Sequence, residues 1–332
     1  MKLLVTGGAG FIGSNFIRYL LGKYPDYQVI NLDKLTYAGN LDNLKDLKEN
    51  RRHTFVKGNI CKPKVVDGLA SQVEVIINFA AESHVDRSIL AAGQFIQTDV
   101  YGTYVLLEAA RKYRHRRYIQ ISTDEVYGSI HRGDFSEIDP LNPSSPYAAS
   151  KAAADLMVLA YWTTFQLPAL ITRSSNNFGP YQHPEKFIPL FITNAQEDKP
   201  LPLYGDGKNA RDWIYVLDNC KAIDLVLHQG REGEIYNIGG ENEHTNIEIT
   251  QQILKTLDKP LSLIQYVKDR PGHDRRYALN CQKLKSLGFQ PRSSFDEALA
   301  HTIHWYEQNQ AWWKKIKRGE FKKYYKKAYG IR

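Results

Sequence analysis

Short apolar runs separated by helix-patterned stretches repeat along the first half of this chain. The runs fall at 2–6 (KLLVT), 28–32 (QVINL), 53–57 (HTFVK), 74–79 (EVIINF), 117–122 (RYIQIS) and 168–173 (PALITR). The first stops at Gly7-Gly8, and Phe11, Ile12, Phe16, Ile17 and Leu20 then recur at helical spacing, which predicts strand, glycine turn and helix. Sustained alternation of this kind predicts an α/β fold, a doubly wound parallel sheet of the Rossmann type covered by helices on both faces. Beyond about residue 174 the pattern loosens, and Pro180, Pro184, Pro189, Pro200 and Pro202 crowd together. A smaller, loop-rich domain is expected there. Residues 212–238 read once more as strand, helix, strand, so the first domain is expected to comprise 1–175 rejoined by 212–238. The second then comprises 176–211 and 239–332.

Composition supports a packed protein. The 332 residues are 42% hydrophobic and 24% charged, which excludes general disorder. Length fits two domains, because single cores stop growing at roughly 250–300 residues. The formal net charge of +8 is unevenly placed: residues 311–332 hold nine Lys/Arg and one Glu, leaving 35 basic and 35 acidic residues in 1–310. An excess confined to one tail is weak support for a nucleic-acid partner. Cys61, Cys220 and Cys281 lie far apart and form no CxxC pair, which argues against a disulfide framework or a metal site. The apolar run at the N-terminus is too short for a signal-peptide core or a membrane span, so a cytoplasmic protein with no membrane partner is expected.

Gly7, Gly10 and Gly13 sit between the first strand and the first helix. Glycine permits the sharp turn and lets a pyrophosphate approach the amides at the positive helix end. The GxxGxxG spacing is one residue longer than the usual dinucleotide fingerprint, but Asp33 ends the second run about 20 residues on, where a carboxylate accepts from ribose hydroxyls. That charge would repel a 2′-phosphate and favours NAD over NADP. Farther on, Ser145 and Pro146 suit the start of a long helix, and Tyr147 and Lys151, four apart, share one of its faces. A neighbouring ammonium and a cofactor's positive ring would favour the tyrosine phenolate, the base that hydride transfer from an alcohol requires.

The combination of TGGAGFIG (6–13), STDEVYG (122–128) and YAASK (147–151) resembles the extended short-chain dehydrogenase/reductase family, and within it the nucleotide-sugar 4,6-dehydratases. The similarity extends through LTYAGNL (35–41), AAESHVDRS (80–88), SNNFGPYQ (175–182), PEKFIPL (184–190), LPLYGDGKNARDWIYV (201–216) and DRPGHDRRYALN (269–280). It implies an NAD-dependent lyase acting on dTDP-glucose in deoxysugar (such as rhamnose) biosynthesis, with the second domain binding the nucleotide sugar. Tyr147 would take the carbon 4 hydroxyl proton as NAD takes the hydride. Glu125 would remove the acidified carbon 5 proton, and a protonated Asp124 would donate to the leaving carbon 6 hydroxyl. Neighbouring carboxylates raise each other's cost of ionising, so one acid beside one base is reasonable. Thr123 would hydrogen-bond the sugar near its carbon 4 oxygen.

Carried over residue by residue, the resemblance adds Phe11, Ile12, Lys34, Thr36, Asn59, Ile60, Ala80, Ala81, Thr98 and Asn177 to the cofactor contacts. Ser83, Asn176, Lys186, Pro202, Tyr204, Arg211, Asn246, Arg270 and His273 would meet the nucleotide sugar. Lys186, Arg211 and Arg270 suit a diphosphate, and Tyr204 could stack on a base. Two positions depart from the family: Asn59 stands where an Asp usually contacts adenine, and Phe178 replaces a Tyr. A 4-epimerase would share the fold, NAD and the Tyr-Lys pair but has no use for the carboxylate pair. As in relatives, the apolar-rich helices near 94–113 and 146–166 are expected to pair across a homodimer as a four-helix bundle.

Overall fold

The computed structural model describes residues 1–269, 273–319, 321 and 325. In chain order its strands are β1 (Lys2–Thr6), β2 (Gln28–Asp33), β3 (His53–Lys57), β4 (Val75–Asn78), β5 (Arg117–Thr123), β6 (Ala169–Ser174), β7 (Asn176–Phe178), β8 (Leu201–Tyr204), β9 (Ala210–Tyr215), β10 (Ile235–Ile238), β11 (Glu243–Thr245) and β12 (Ile264–Val267). Seven of them form one sheet in the order β10-β6-β5-β4-β1-β2-β3, every pairing parallel. From β3 to β6 this is the doubly wound order, which reverses between β1 and β4.

Successive side chains on a strand point to opposite faces, so a sheet buried on both sides needs unbroken apolar runs. Leu3 and Ile77 pack on one face with Phe16 and Leu20 of the helix Phe11–Lys23 and with Ile223 and Val226 of the helix Val216–Gln229. Leu4 and Ile76 pack on the other with Leu106 of the helix Gly102–Lys112 and with Val158 of the helix Pro146–Phe165. Burying each such side chain contributes about 1.5–3 kcal/mol. An ion pair is buried between β6 and the helix Pro146–Phe165, Arg173 to Asp155 at 2.9 Å, with Ser122 of β5 donating to the same carboxylate. Removing one partner of such a pair costs about 3–5 kcal/mol.

The stretch 212–238 divides between two sheets. β10 hydrogen-bonds to β6 at the edge of the main sheet, whereas β9 lies between β7 and β11 in a small three-stranded sheet. β8 pairs with β12 in a separate two-stranded sheet. The long helical region before residue 112 holds a π-helical turn at Ile96–Tyr101. Such turns recur at functional sites, and here Thr98 reaches the cavity described next.

Candidate active site

The main sheet delivers its carboxyl ends to one cavity at the β1/β4 reversal, where open α/β sheets bind ligands. Gly7, Gly10, Phe11, Ile12 and Gly13 follow β1; Asp33, Lys34 and Thr36 follow β2; Asn59 and Ile60 follow β3. Ala80, Ala81 and Ser83 follow β4, Thr123, Asp124 and Glu125 close β5, and Asn176 and Asn177 follow β6. Thr98, Tyr147, Lys151 and Lys186 complete the set. Predicted cofactor residues and predicted catalytic residues therefore line one space.

Its nucleotide end fits a dinucleotide. Gly7 has φ +69°, and a Cβ there would sit 2.6 Å from the Ala80 amide nitrogen. At Gly13 a Cβ would meet the Gly7 carbonyl at 2.5 Å, so both positions require glycine. The helix Phe11–Lys23 starts at Gly10 without a side-chain cap, which leaves its first amides facing the cavity for an anion. Asp33 accepts from the Ala9 amide at 2.9 Å and from the Leu35 amide at 2.8 Å. Burial raises its pKa and these backbone donors oppose the rise. The side-chain oxygens of Asn176 and Asn177 are buried without a hydrogen-bond partner among the described residues, as acceptors awaiting a ligand would be. These features fit NAD. Asn59 turns its side-chain oxygen toward the Cys61 amide at 2.9 Å, leaving that oxygen one further lone pair for an adenine amino group. Phe178 is buried against Trp213, Tyr215 and Phe295, a site that asks for no hydroxyl.

The reactive end is acidic and dry. Thr123 caps the turn Asp124–Tyr127 by accepting from the Glu125 amide at 3.2 Å, and its hydroxyl donates to Asp124 Oδ1 at 3.1 Å. Asp124 is 3% exposed. Burial first and the charge of Glu125 second push its pKa from 3.8 to about 8, so it is a protonated acid at neutral pH. Tyr147 and Lys151 lie on the helix Pro146–Phe165, whose start Ser145 caps by accepting from the Ala148 amide.

The Lys151 ammonium donates to the Ile121 carbonyl at 2.6 Å, and the protein's own field holds Tyr147 as a neutral phenol. Burial raises the Tyr147 pKa well above 10.0, followed by the charges of Glu125 and Asp99, with a Thr123 side-chain hydrogen bond opposing. The positive ring of an oxidised cofactor is the part of the expectation that would have to oppose this rise.

The remaining predicted substrate residues stand beyond this cavity. Arg211 on β9 donates to the Asp274 carbonyl at 2.7 Å, lies over the Tyr277 ring at 4.4 Å and opposes the rise in Asp124's pKa. Pro202 and Tyr204 are on β8, and the Tyr204 hydroxyl donates to Asp86 at 3.3 Å. The His273 ring packs edge-on to Tyr204 and hydrogen-bonds Asp269 at 2.5 Å. Asn246 opens the helix Asn246–Thr256, its amide donating to the Asn209 carbonyl. Arg270 lies outside the described residues.

Sequence reasoning missed Asp99, which is 1% exposed and accepts from the Glu82 amide at 2.9 Å and from Ser150 at 2.7 Å. Burial raises its pKa to about 6 against the lowering pull of Lys151. Its only signal was a carboxylate inside an otherwise apolar helical stretch. Glu82, Gln182 and His183, which line the cavity as Asp99 does not, stood inside or beside quoted motifs but were not singled out. Among the described residues no group of His, Cys, Asp and Glu could hold a metal ion.

A dinucleotide cradle that opens onto a tyrosine, a protonated aspartic acid and a second carboxylate defines the class, a nicotinamide-dependent enzyme equipped to eliminate as well as to oxidise. Comparison with known proteins narrows it. The family described as GDP-mannose 4,6 dehydratase matches residues 4–302. A dTDP-glucose 4,6-dehydratase of Streptomyces niveus is 50% identical over 322 residues, 96% of each chain. The low-salt glycan biosynthesis protein Agl12 of Haloferax volcanii is 54% identical over 306 residues, 92% of this chain and 98% of its own. The dTDP-glucose 4,6-dehydratase of Streptomyces venezuelae, solved with NAD bound, matches with a TM-score of 0.93 at 50% identity, covering 95% of this chain and all of that one. The chain belongs to the dTDP-glucose 4,6-dehydratase family.

Proposed function

We propose that this protein converts dTDP-glucose to dTDP-4-keto-6-deoxyglucose, a dehydration with no net redox change. The single observation that carries the reading beyond family membership is the placement of Asp124, a buried carboxyl beside Glu125 in the same cavity as Tyr147, where burial and the neighbouring charge favour its protonated form. An epimerase needs no such acid. Bound in the cradle from Gly7 to Asn177, NAD supplies a hydride acceptor at carbon 4, a hydride donor at carbon 6 and, while oxidised, positive charge at the reactive end. Everything else falls to side chains. Thr123 orients the sugar and Tyr147 takes the carbon 4 hydroxyl proton, which its raised pKa makes costly without that positive charge. Lys151 braces the helix that carries Tyr147 against β5. Glu125 removes the carbon 5 proton once the neighbouring ketone has acidified it. Asp124 gives its proton to the departing carbon 6 hydroxyl, which leaves as water.

Lys186 lines the cavity and Arg211 acts on Asp124 through its charge, which supports both as contacts for the substrate's diphosphate, and the Tyr204 ring, with His273 edge-on to it, is the candidate to stack on its base. On this reading the main sheet is the cofactor domain, and the two small sheets with the segments around them form the sugar-nucleotide domain. Exposed Ile96, Leu156 and Phe165, at 59%, 56% and 48%, support a homodimer that covers the helices around 96–112 and 146–165. No helix of the described residues is long and apolar enough to cross a membrane. The test is incubation of purified protein with dTDP-glucose and no added reductant. Formation of a 4-keto-6-deoxy product is expected, and recovery of unchanged or merely epimerised substrate defeats the proposal.

A further inference from the structure

The basic C-terminal segment has no part in the chemistry above, yet one of its tryptophans is linked to the cofactor loop. The Trp312 indole N–H donates to Asn43 Oδ1 at 2.8 Å. Asn43, 1% exposed in the turn Leu41–Leu47, donates from Nδ2 to the Ala9 carbonyl at 2.9 Å. Ala9 lies in the glycine loop, and its own amide donates to Asp33 Oδ2 at 2.9 Å. Three consecutive hydrogen bonds thus join a C-terminal side chain to the carboxylate expected to hold the adenosine ribose. Because they grip Ala9 at both its amide and its carbonyl, they fix the orientation of the loop that leads into the helix-opening amides.

The direction of the Trp312 donor is itself set by packing. Its ring stands edge-on to Trp305 at 5.1 Å and to Tyr181 at 6.1 Å. Arg18 sits over Tyr181 at 4.2 Å and also donates to the Asn43 backbone carbonyl, so the asparagine is held from two sides. Lys315, by contrast, makes an ion pair with Asp42 at 2.7 Å while 68% exposed, the kind of contact that contributes little.

We infer that Trp312 and Asn43 are positioning residues for NAD: they hold Ala9 and Asp33 in the register that aims the carboxylate's remaining lone pairs at the ribose hydroxyls. The inference rests on the NAD reading above and assigns the C-terminal segment a role in cofactor retention that belongs to its indole and not to its charge.

The test uses the full-length protein, with NAD affinity and release measured by exchange of isotopically labelled NAD. Trp312→Phe keeps an aromatic ring and removes only the donor. The NAD Kd is expected to rise roughly three- to tenfold, the size of one net hydrogen bond, mainly through faster release. The kcat at saturating NAD and the KM for dTDP-glucose should stay at wild-type values, a split that general loss of packing would not give. Asn43→Ala should weaken NAD at least as much, and the double variant should be no weaker than Asn43→Ala alone. Lys315→Ala should change the NAD Kd less than about twofold. Unchanged NAD affinity in Trp312→Phe, full additivity of the two substitutions, or an equal loss in Lys315→Ala overturns the inference. Wild-type protein that binds no NAD at all would instead refute the cofactor reading itself.

Discussion

Thr123 donates its hydroxyl hydrogen to Asp124 Oδ1 at 3.1 Å, while Asp124 Oδ2 is buried without a hydrogen-bond partner among the described residues. Burial, and after it the charge of Glu125, raises the Asp124 pKa to about 8, while the Thr123 donor opposes the rise. Two consequences follow for pH. As an acid in elimination, Asp124 must carry its proton, so kcat/KM is expected to fall as pH rises through about 8. Asp124→Asn should lower kcat by about 10²–10⁴ and abolish that limb of the profile.

Stability should move in the same sense. The folded pKa of about 8 lies above the ordinary 3.8, so between those values the folded state keeps a proton that the unfolded chain has lost. Stability contributed by this group therefore declines with rising pH from about 4 to about 8 and is level outside that window. Urea unfolding at several pH values should show a shallower decline in Asp124→Asn than in the wild type. An unchanged slope would show that Asp124 does not hold its proton in the folded protein.

Glu125→Gln removes the proposed base and keeps Tyr147, while lifting one of the charges that raise the Tyr147 pKa. Oxidation at carbon 4 should still occur, so reduced nicotinamide should build up on mixing with dTDP-glucose while product formation drops by about 10²-fold or more. Stopped-flow absorbance reads both steps. Normal turnover in this variant would remove Glu125 from the mechanism.

Asp33 is expected to set the preference for NAD, because a buried carboxylate at the end of β2, lining the cavity, would repel the 2′-phosphate of NADP. Asp33→Ser should weaken NAD by about 1–3 kcal/mol, the size of a lost charged hydrogen bond, and narrow the NAD to NADP affinity ratio. Titration calorimetry with both dinucleotides measures this. A ratio that stays as in the wild type would place the discrimination elsewhere.

If the exposed apolar face covers a second copy, charging it should separate the copies. Ile96→Arg and Leu156→Arg alter residues that are 59% and 56% exposed, so neither disturbs a core in the single chain. Sedimentation should show a wild-type dimer and a variant monomer that keeps its thermal unfolding transition. A wild type that sediments as a monomer contradicts the bundle.

Much of the main sheet was legible because parallel strands covered on both faces must be apolar throughout, and runs such as KLLVT and EVIINF have few other uses. The small sheets were not. β7 and β11 are three residues long, and β9 takes its place from pairing with both of them, so the DWIYV run reads like another main-sheet strand although it joins the three-stranded sheet. Spacing placed Tyr147 and Lys151 on one helical face, but the field at Tyr147 depends on Asp99 and Glu125, which come from other elements. Nor could a count of tail charges reveal that Trp312 meets Asn43 across 269 residues of chain.

The central claim is an internal hydride shift from carbon 4 to carbon 6 accompanied by loss of water. It is tested most directly by giving the purified protein dTDP-glucose deuterated at carbon 4, in ordinary water and without added reductant, and locating the label in the product. The account predicts a 4-keto-6-deoxy sugar carrying that deuterium at carbon 6 and a solvent proton at carbon 5. A 4-epimer that retains its deuterium at carbon 4 would contradict it.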